Sequence, residues 1–176
     1  MIFNEIYYRT DKSEINLQNG TEIFRRAVRA VIMDGDKILM AHLGKTDEYK
    51  FPGGGVAESE SAETALKREV LEEVGYNALE IGEKIGIITE YDTAQEGEQF
   101  YFKMVSEYYA VKVENRQLSQ HLEEYEQDLQ FAPCWVDVET AYRTNSQNKG
   151  KFDKTLGIAR ETIALGKILE FRQSQS

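Results

Sequence analysis

The sequence predicts a mixed α/β domain with helices packed on a sheet. Several segments are rich in β-branched and aromatic residues, an acidic amphipathic helix interrupts them at 62–74, and helical periodicity returns near the C-terminus. The 176 residues fit one domain, 1–176, with room for a sizeable core. The opening "IFNEIYY" reads as a short strand and "TDKSEINLQNGTE" as a polar connection, so 1–22 reads as an N-terminal extension. "FRRAVRAVIMDGDKILMAHL" reads as a hairpin: Val28, Ala30 and Ile32 alternate, Asp34-Gly35 marks the turn, and "KILMAHL" returns. "EKIGIITEY" and "QFYFKMVSEYYAVKV" read as strands around the loop "DTAQEGEQ". "NRQLSQHLEEYEQDLQ" suggests a loop with a helical turn, and "APCWVDV" a strand. Leu156, Ala159, Ile163 and Leu169 recur at helical steps and predict a C-terminal helix.

Composition narrows the function. Ten tyrosines and eight phenylalanines argue against disorder. A net charge of −10 disfavours nonspecific binding to a nucleic-acid backbone or an anionic membrane. It leaves phosphorylated substrates open, because bound metal ions reverse the local sign. Cys134 is the chain's one cysteine, which suits a reducing cytoplasm. A basic region followed by an apolar run is absent from the start, and no apolar stretch approaches the length of a membrane span.

The acidic helix is the informative element. Ser61 supplies an N-cap, Glu63 sits in the first turn where the dipole favours it, and Gly75 stands where a left-handed residue ends a helix. Leu66, Val70 and Val74 form one apolar stripe. Glu69, Glu72 and Glu73 share another, where like charges repel, and Arg68 can pair with Glu72. Taken alone, such a stripe reads as a solvated face. A divalent cation is the alternative, since Mg²⁺ takes hard oxygen ligands.

Spacing decides between these readings. Gly54 is followed after five residues by Glu60, and seven more lead to "REVLEEVGY", Arg68 to Tyr76. This resembles the Nudix box, G-x5-E-x7-R-E-U-x-E-E-x-G-U, with every fixed letter in place over 54–76 and Tyr76 at the last apolar position. "FPGGG", which includes Gly53, is similar to the entry of MutT-like members.

The resemblance implies a Nudix-type α/β/α sandwich with a mixed sheet and a C-terminal helix. It implies a hydrolase that cleaves the pyrophosphate linkage of a nucleoside diphosphate derivative with Mg²⁺, or Mn²⁺, at the box. Carried over by position, Glu69, Glu72, Glu73 and the Gly54 carbonyl are metal ligands, Arg68 orients the carboxylates, and Glu60 and Gly53 support the site. The general base is open among Glu96, Glu98, Glu123 and Glu124, with His121 a lesser candidate. His42 stands where several relatives carry an arginine. The proline that ADP-ribose-type members carry after the box is absent, and no coenzyme A or NADH signature is visible. Tyr91 lies near the position of a tyrosine in diadenosine polyphosphate hydrolases, and Tyr49, Phe51 and Trp135 are candidates to stack on a base. The expected partner is a small nucleotide, a nucleoside triphosphate or a nucleotide sugar, and a homodimer is the oligomer relatives suggest. A noncatalytic nucleotide-sensing module on the same fold is the alternative function.

Overall fold

The computed structural model describes residues 1–148 and 157–175. Two four-stranded sheets form its centre. The first has the order β1 (Phe3–Tyr8), β6 (Tyr76–Thr93), β7 (Phe100–Gln117), β2 (Thr21–Val31). β1 runs parallel to β6, β6 antiparallel to β7, and β7 parallel to β2, so the sheet is mixed. In the second, β4 (Lys37–Leu43) pairs with β3 (Met33–Asp34), β5 (Glu48–Lys50) and β8 (Phe131–Asp137), all antiparallel. Pro133 is accommodated because β8 lies at the edge of that sheet.

The expected hairpin exists only at its tip. Gly35 (φ +58) turns β3 into β4 over two ladder pairs, Met33↔Ile38 and Asp34↔Lys37. The long strand β2 instead pairs with β7 from Thr21↔Phe100 to Val31↔Ala110. Burial explains the difference: Ala27 to Ile32 are all buried, as a strand covered on both faces requires, and a simple two-stranded ribbon could not cover them. β6 and β7 are also longer than the sequence suggested, at 18 residues each, and register shifts between Tyr76 and Gly86 bend their paired ends.

Helices cover both faces. On one side, Val28, Ala30, Ile32, Leu39, Ala41 and Leu43 meet Leu66, Val70 and Val74 of the acidic helix. On the other, Val31, Ile38, Met40 and Phe51 meet α3 (Val138–Asn148) and α4 (Ile158–Ser174). β4 supplies alternate residues to each side, as a pleated strand must. The α/β/α sandwich is therefore present.

Two helical details depart from expectation. α3 carries no apolar stripe that would announce it. Asn145 occupies an inward position, fully buried, and its amide bonds both the N–H and the carbonyl of Tyr49 at 2.8 Å. In α4 the buried residues are Ile158, Ala164, Leu165 and Ile168, with Arg160, Glu161 and Thr162; Ala159, Ile163 and Leu169 are only half-buried, and Leu156 lies outside the described residues. No helix among the described residues is long and apolar enough to cross a membrane.

The acidic helix has the predicted boundaries. α1 (Ala62–Glu69) continues into one π-helical turn, Val70–Val74, and Gly75 closes it at φ +71. Ser61 accepts the Thr64 N–H at 3.1 Å. Ser61→Ala should therefore destabilise the fold by about 1 kcal/mol in urea unfolding, and Ser61→Gly by less.

Candidate active site

The glycine loop is held along β2. Pro52 O accepts from Ala30 N at 2.8 Å, Gly54 O from Val28 N at 3.0 Å, and Arg26 O accepts from Val56 N at 3.0 Å. At two of these positions a neighbouring group lies where a Cβ would be. At Gly53 (φ +144) an added Cβ would fall 2.1 Å from the Val28 carbonyl oxygen. At Gly54 it would fall 2.3 Å from Glu69 Oε1, so the bare backbone is what lets this carboxylate lie against the loop.

The π-helical turn separates the three glutamates by environment, a distortion frequent at functional sites. Glu73 is 2% exposed and accepts the Gly53 N–H at 2.8 Å. Burial pushes its carboxyl up to about 8, against the opposing pull of Lys50, the Gly53 N–H and Arg29. Glu69 is also buried, and desolvation raises its pKa despite Arg68. Glu72 stays half-exposed.

Arg68 ties the face together. Its Nε donates to Glu60 Oε1 at 3.1 Å, Nη1 to Glu69 at 2.6 Å and Glu72 at 3.2 Å, and Nη2 to Glu60 Oε2 at 3.2 Å. Glu60 thus touches Arg68 and, through its second oxygen, the Ala57 N–H at 3.2 Å; it reaches the other carboxylates only through the guanidinium. Glu69, Glu72 and Glu73, with the Gly54 carbonyl, are the hard oxygen donors that could hold a divalent cation. The Gly54 carbonyl already accepts from Val28 and keeps one lone pair. Among the described residues, no three His, Cys, Asp or Glu side chains converge on a single point.

A cleft of ≈ 440 Å³ opens beside Gly53 and Gly54. Its wall carries Arg9, Arg25, Arg29, Lys50 and Arg160, with Phe102 and Tyr125 as aromatic surfaces. Five cations around one cleft are unexpected in a chain of net charge −10. None of these residues was singled out by the sequence. One signal was available: Arg25, Ala27 and Arg29 recur at every second position of β2 and so share one face, and all three line the cleft.

The remaining candidates scatter. Glu123 lines the cleft at the N-cap of α2 (Glu124–Asp128), where its backbone N–H donates to the Glu126 carboxylate at 2.8 Å. Glu124 is exposed on the first turn of that helix. Glu96 and Glu98 are exposed in the β6–β7 loop, outside the cleft wall. His121 donates its backbone N–H to the Glu72 carbonyl at 2.9 Å. His42 bonds Asp47 at 2.8 Å and leans on Tyr49, away from the cleft wall. Phe51 is fully buried against Tyr108, Trp135 donates to the Tyr76 hydroxyl at 3.3 Å, and Tyr91 stacks on Tyr8. Those aromatic residues serve packing, whereas Phe102 and Tyr125 face the cleft.

A family model described as NUDIX domain matches residues 23–156. The chain is 46% identical over 63 residues to an RNA pyrophosphohydrolase of Teredinibacter turnerae, covering 35% of this chain and 37% of that protein. It is 42% identical over 57 residues to a provisionally named 8-oxo-dGTP diphosphatase of Bacillus subtilis, covering 32% and 38%. These matches span little more than a third of either curated relative. Among solved structures, a NUDIX hydrolase from Nitrosomonas europaea aligns over 82% of this chain and 91% of its own, with a TM-score of 0.51 and 20% identity; the likeness is one of fold.

Proposed function

The chain belongs to the NUDIX domain family, and from that premise we propose that it is a metal-dependent hydrolase cleaving the pyrophosphate linkage of a nucleoside diphosphate derivative. One observation carries the reading: the buried carboxylates of Glu69 and Glu73 lie against Gly54 and Gly53, and those two glycines form part of the wall of a cleft lined by five cations. Carboxylates in that position suit a divalent cation, and the cationic wall suits phosphate oxygens. The names of the relatives in T. turnerae and B. subtilis agree, since both describe hydrolysis within a phosphate chain.

The hard oxygen donors suit Mg²⁺ in kind, although the three carboxylates do not already converge on one point among the described residues. Glu69 and Glu73 would be the principal ligands, with Glu72 and the Gly54 carbonyl beside them, and water and phosphate oxygens would complete an octahedron that uses few carboxylates. When bound, the ion would neutralise the phosphate oxygens and acidify a water molecule. Arg68 holds Glu69 and Glu72 in place and is itself held by Glu60. Glu123, at the cleft wall, is the general base we favour among the four loop glutamates. The lone half-buried Cys134 accords with a cytoplasmic setting.

The test is a panel of nucleoside triphosphates, nucleotide sugars and 5′-triphosphorylated RNA, with products identified in isotope-labelled water. Turnover should require Mg²⁺, stop on adding EDTA and return when Mg²⁺ is restored. Tight nucleotide binding without turnover of any compound would point instead to a noncatalytic module.

A further inference from the structure

Not every basic side chain of the cleft has a carboxylate in contact. Arg9 and Arg160 pair with Glu90 at 3.0 and 2.7 Å, and Arg160 pairs again with Glu161 at 2.6 Å. Arg29 reaches Glu161 at 4.0 Å and donates to the Gly53 carbonyl. Lys50 and Arg25 differ: among the described residues, neither has a carboxylate within ion-pair distance.

Lys50 is the more telling of the two. It is 8% exposed, and its ammonium meets the ring of Phe131 at 5.4 Å. Burial and the neighbouring Arg29 push its pKa down, while Glu73 and Glu161 oppose that from beyond contact distance. A buried lysine with no carboxylate in contact is costly to charge, and an anion arriving in the cleft would offset that cost. Arg25 is exposed, and its guanidinium lies over Gly55, where an added Cβ would fall 3.2 Å from Nη2. Both side chains line the same cleft beside Gly53 and Gly54.

We propose that Lys50 and Arg25 form a subsite for a phosphate beyond the linkage that is cut, which selects substrates with three or more consecutive phosphates over nucleotide sugars. The inference rests on the hydrolase reading above for which linkage is cut. A terminal phosphate carries close to two negative charges at neutral pH, so it would favour the charged form of Lys50 while pairing with Arg25. An arginine fork suits phosphate oxygens, and a lysine supplies a point charge. A nucleotide sugar would present a neutral ring to the same two side chains and make neither charged contact.

The experiment uses the full chain, Lys50→Met and Arg25→Gln. Binding of inorganic triphosphate and of orthophosphate is measured by calorimetry in EDTA, and kcat/KM for a nucleoside triphosphate and a nucleotide sugar is measured with Mg²⁺. The wild type should bind triphosphate saturably and more tightly than orthophosphate. Each variant should bind it roughly tenfold more weakly, as expected for loss of a charged hydrogen-bonding partner. The preference for triphosphate over nucleotide sugar should fall by a similar factor, mainly through KM. Unchanged binding in the variants, no saturable binding by the wild type, or an unmoved preference would overturn the proposal. Arg25 is exposed, so Arg25→Gln carries the test even if Lys50→Met fails to fold. The two readings separate cleanly. Hydrolysis with variant-insensitive binding removes the subsite alone, and variant-sensitive binding without any hydrolysis removes the hydrolase reading alone.

Discussion

Glu90→Gln is expected to lower stability by about 3–5 kcal/mol, the range for breaking a buried ion pair from one side. Glu90 is fully buried on β6 and joins Arg9 and Arg160, and Arg160, 2% exposed, continues to Glu161 on α4. The amide would keep the shape and remove the charge, leaving Arg160 with Glu161 as its one remaining carboxylate partner among the described residues. For a chain of this size the thermal midpoint should fall by roughly 10 °C. The same group gives a pH dependence with a definite sign. Burial alone would raise the Glu90 carboxyl, yet Arg160 and Arg9 outweigh it and hold the pKa below its usual 4.5. A depressed folded pKa gives stability that is present above the unfolded value and lost as pH falls through the folded one. Wild-type stability should therefore drop below about pH 4.5, and Glu90→Gln should flatten that acid limb. A midpoint unchanged at neutral pH would mean that the network adds no net stability.

The difference between what the sequence disclosed and what it hid has a physical pattern. The cap at Ser61, the stripe of Leu66, Val70 and Val74, and the stop at Gly75 depend on neighbours within a few positions, so they were legible, and the structure has them all. Likewise, the spacing from Gly54 to Glu69 encodes a contact that folding realises at 2.3 Å from an absent Cβ. The cationic cleft was legible only in the alternation of Arg25 and Arg29 on β2, because its other basic residues come from just past β1, from β5 and from α4, and no spacing links those. α3 was hidden by Asn145, a polar side chain at an inward position that serves the backbone of Tyr49. The hairpin expectation erred for a related reason. A turn dipeptide is a local signal, while the partner of β2 is chosen by burial on both faces, a property of the whole sandwich.

Glu73→Gln should reduce kcat/KM on the order of a thousandfold while the fold survives, since metal stabilisation of the developing charge is worth several kcal/mol. Survival follows from the geometry. The amide oxygen of glutamine can still accept the Gly53 N–H that Glu73 now accepts at 2.8 Å. The substitution also removes a charge from a carboxyl that burial already disfavours. Thermal unfolding in EDTA should therefore show a midpoint equal to or above that of the wild type, an exchange of stability for activity common at functional sites. Glu72→Gln should have a smaller effect on rate, because Glu72 is half-exposed and solvent can replace part of its role. Adding Mg²⁺ should raise the wild-type midpoint and leave that of Glu73→Gln nearly unmoved, since an ion that binds only the folded state stabilises it by mass action. Should Glu73→Gln hydrolyse substrate at the wild-type rate, the chemistry would have to lie elsewhere than on this face. Should it lose both rate and fold, Glu73 would be a structural residue whose carboxylate charge the Lys50 and Arg29 side chains require.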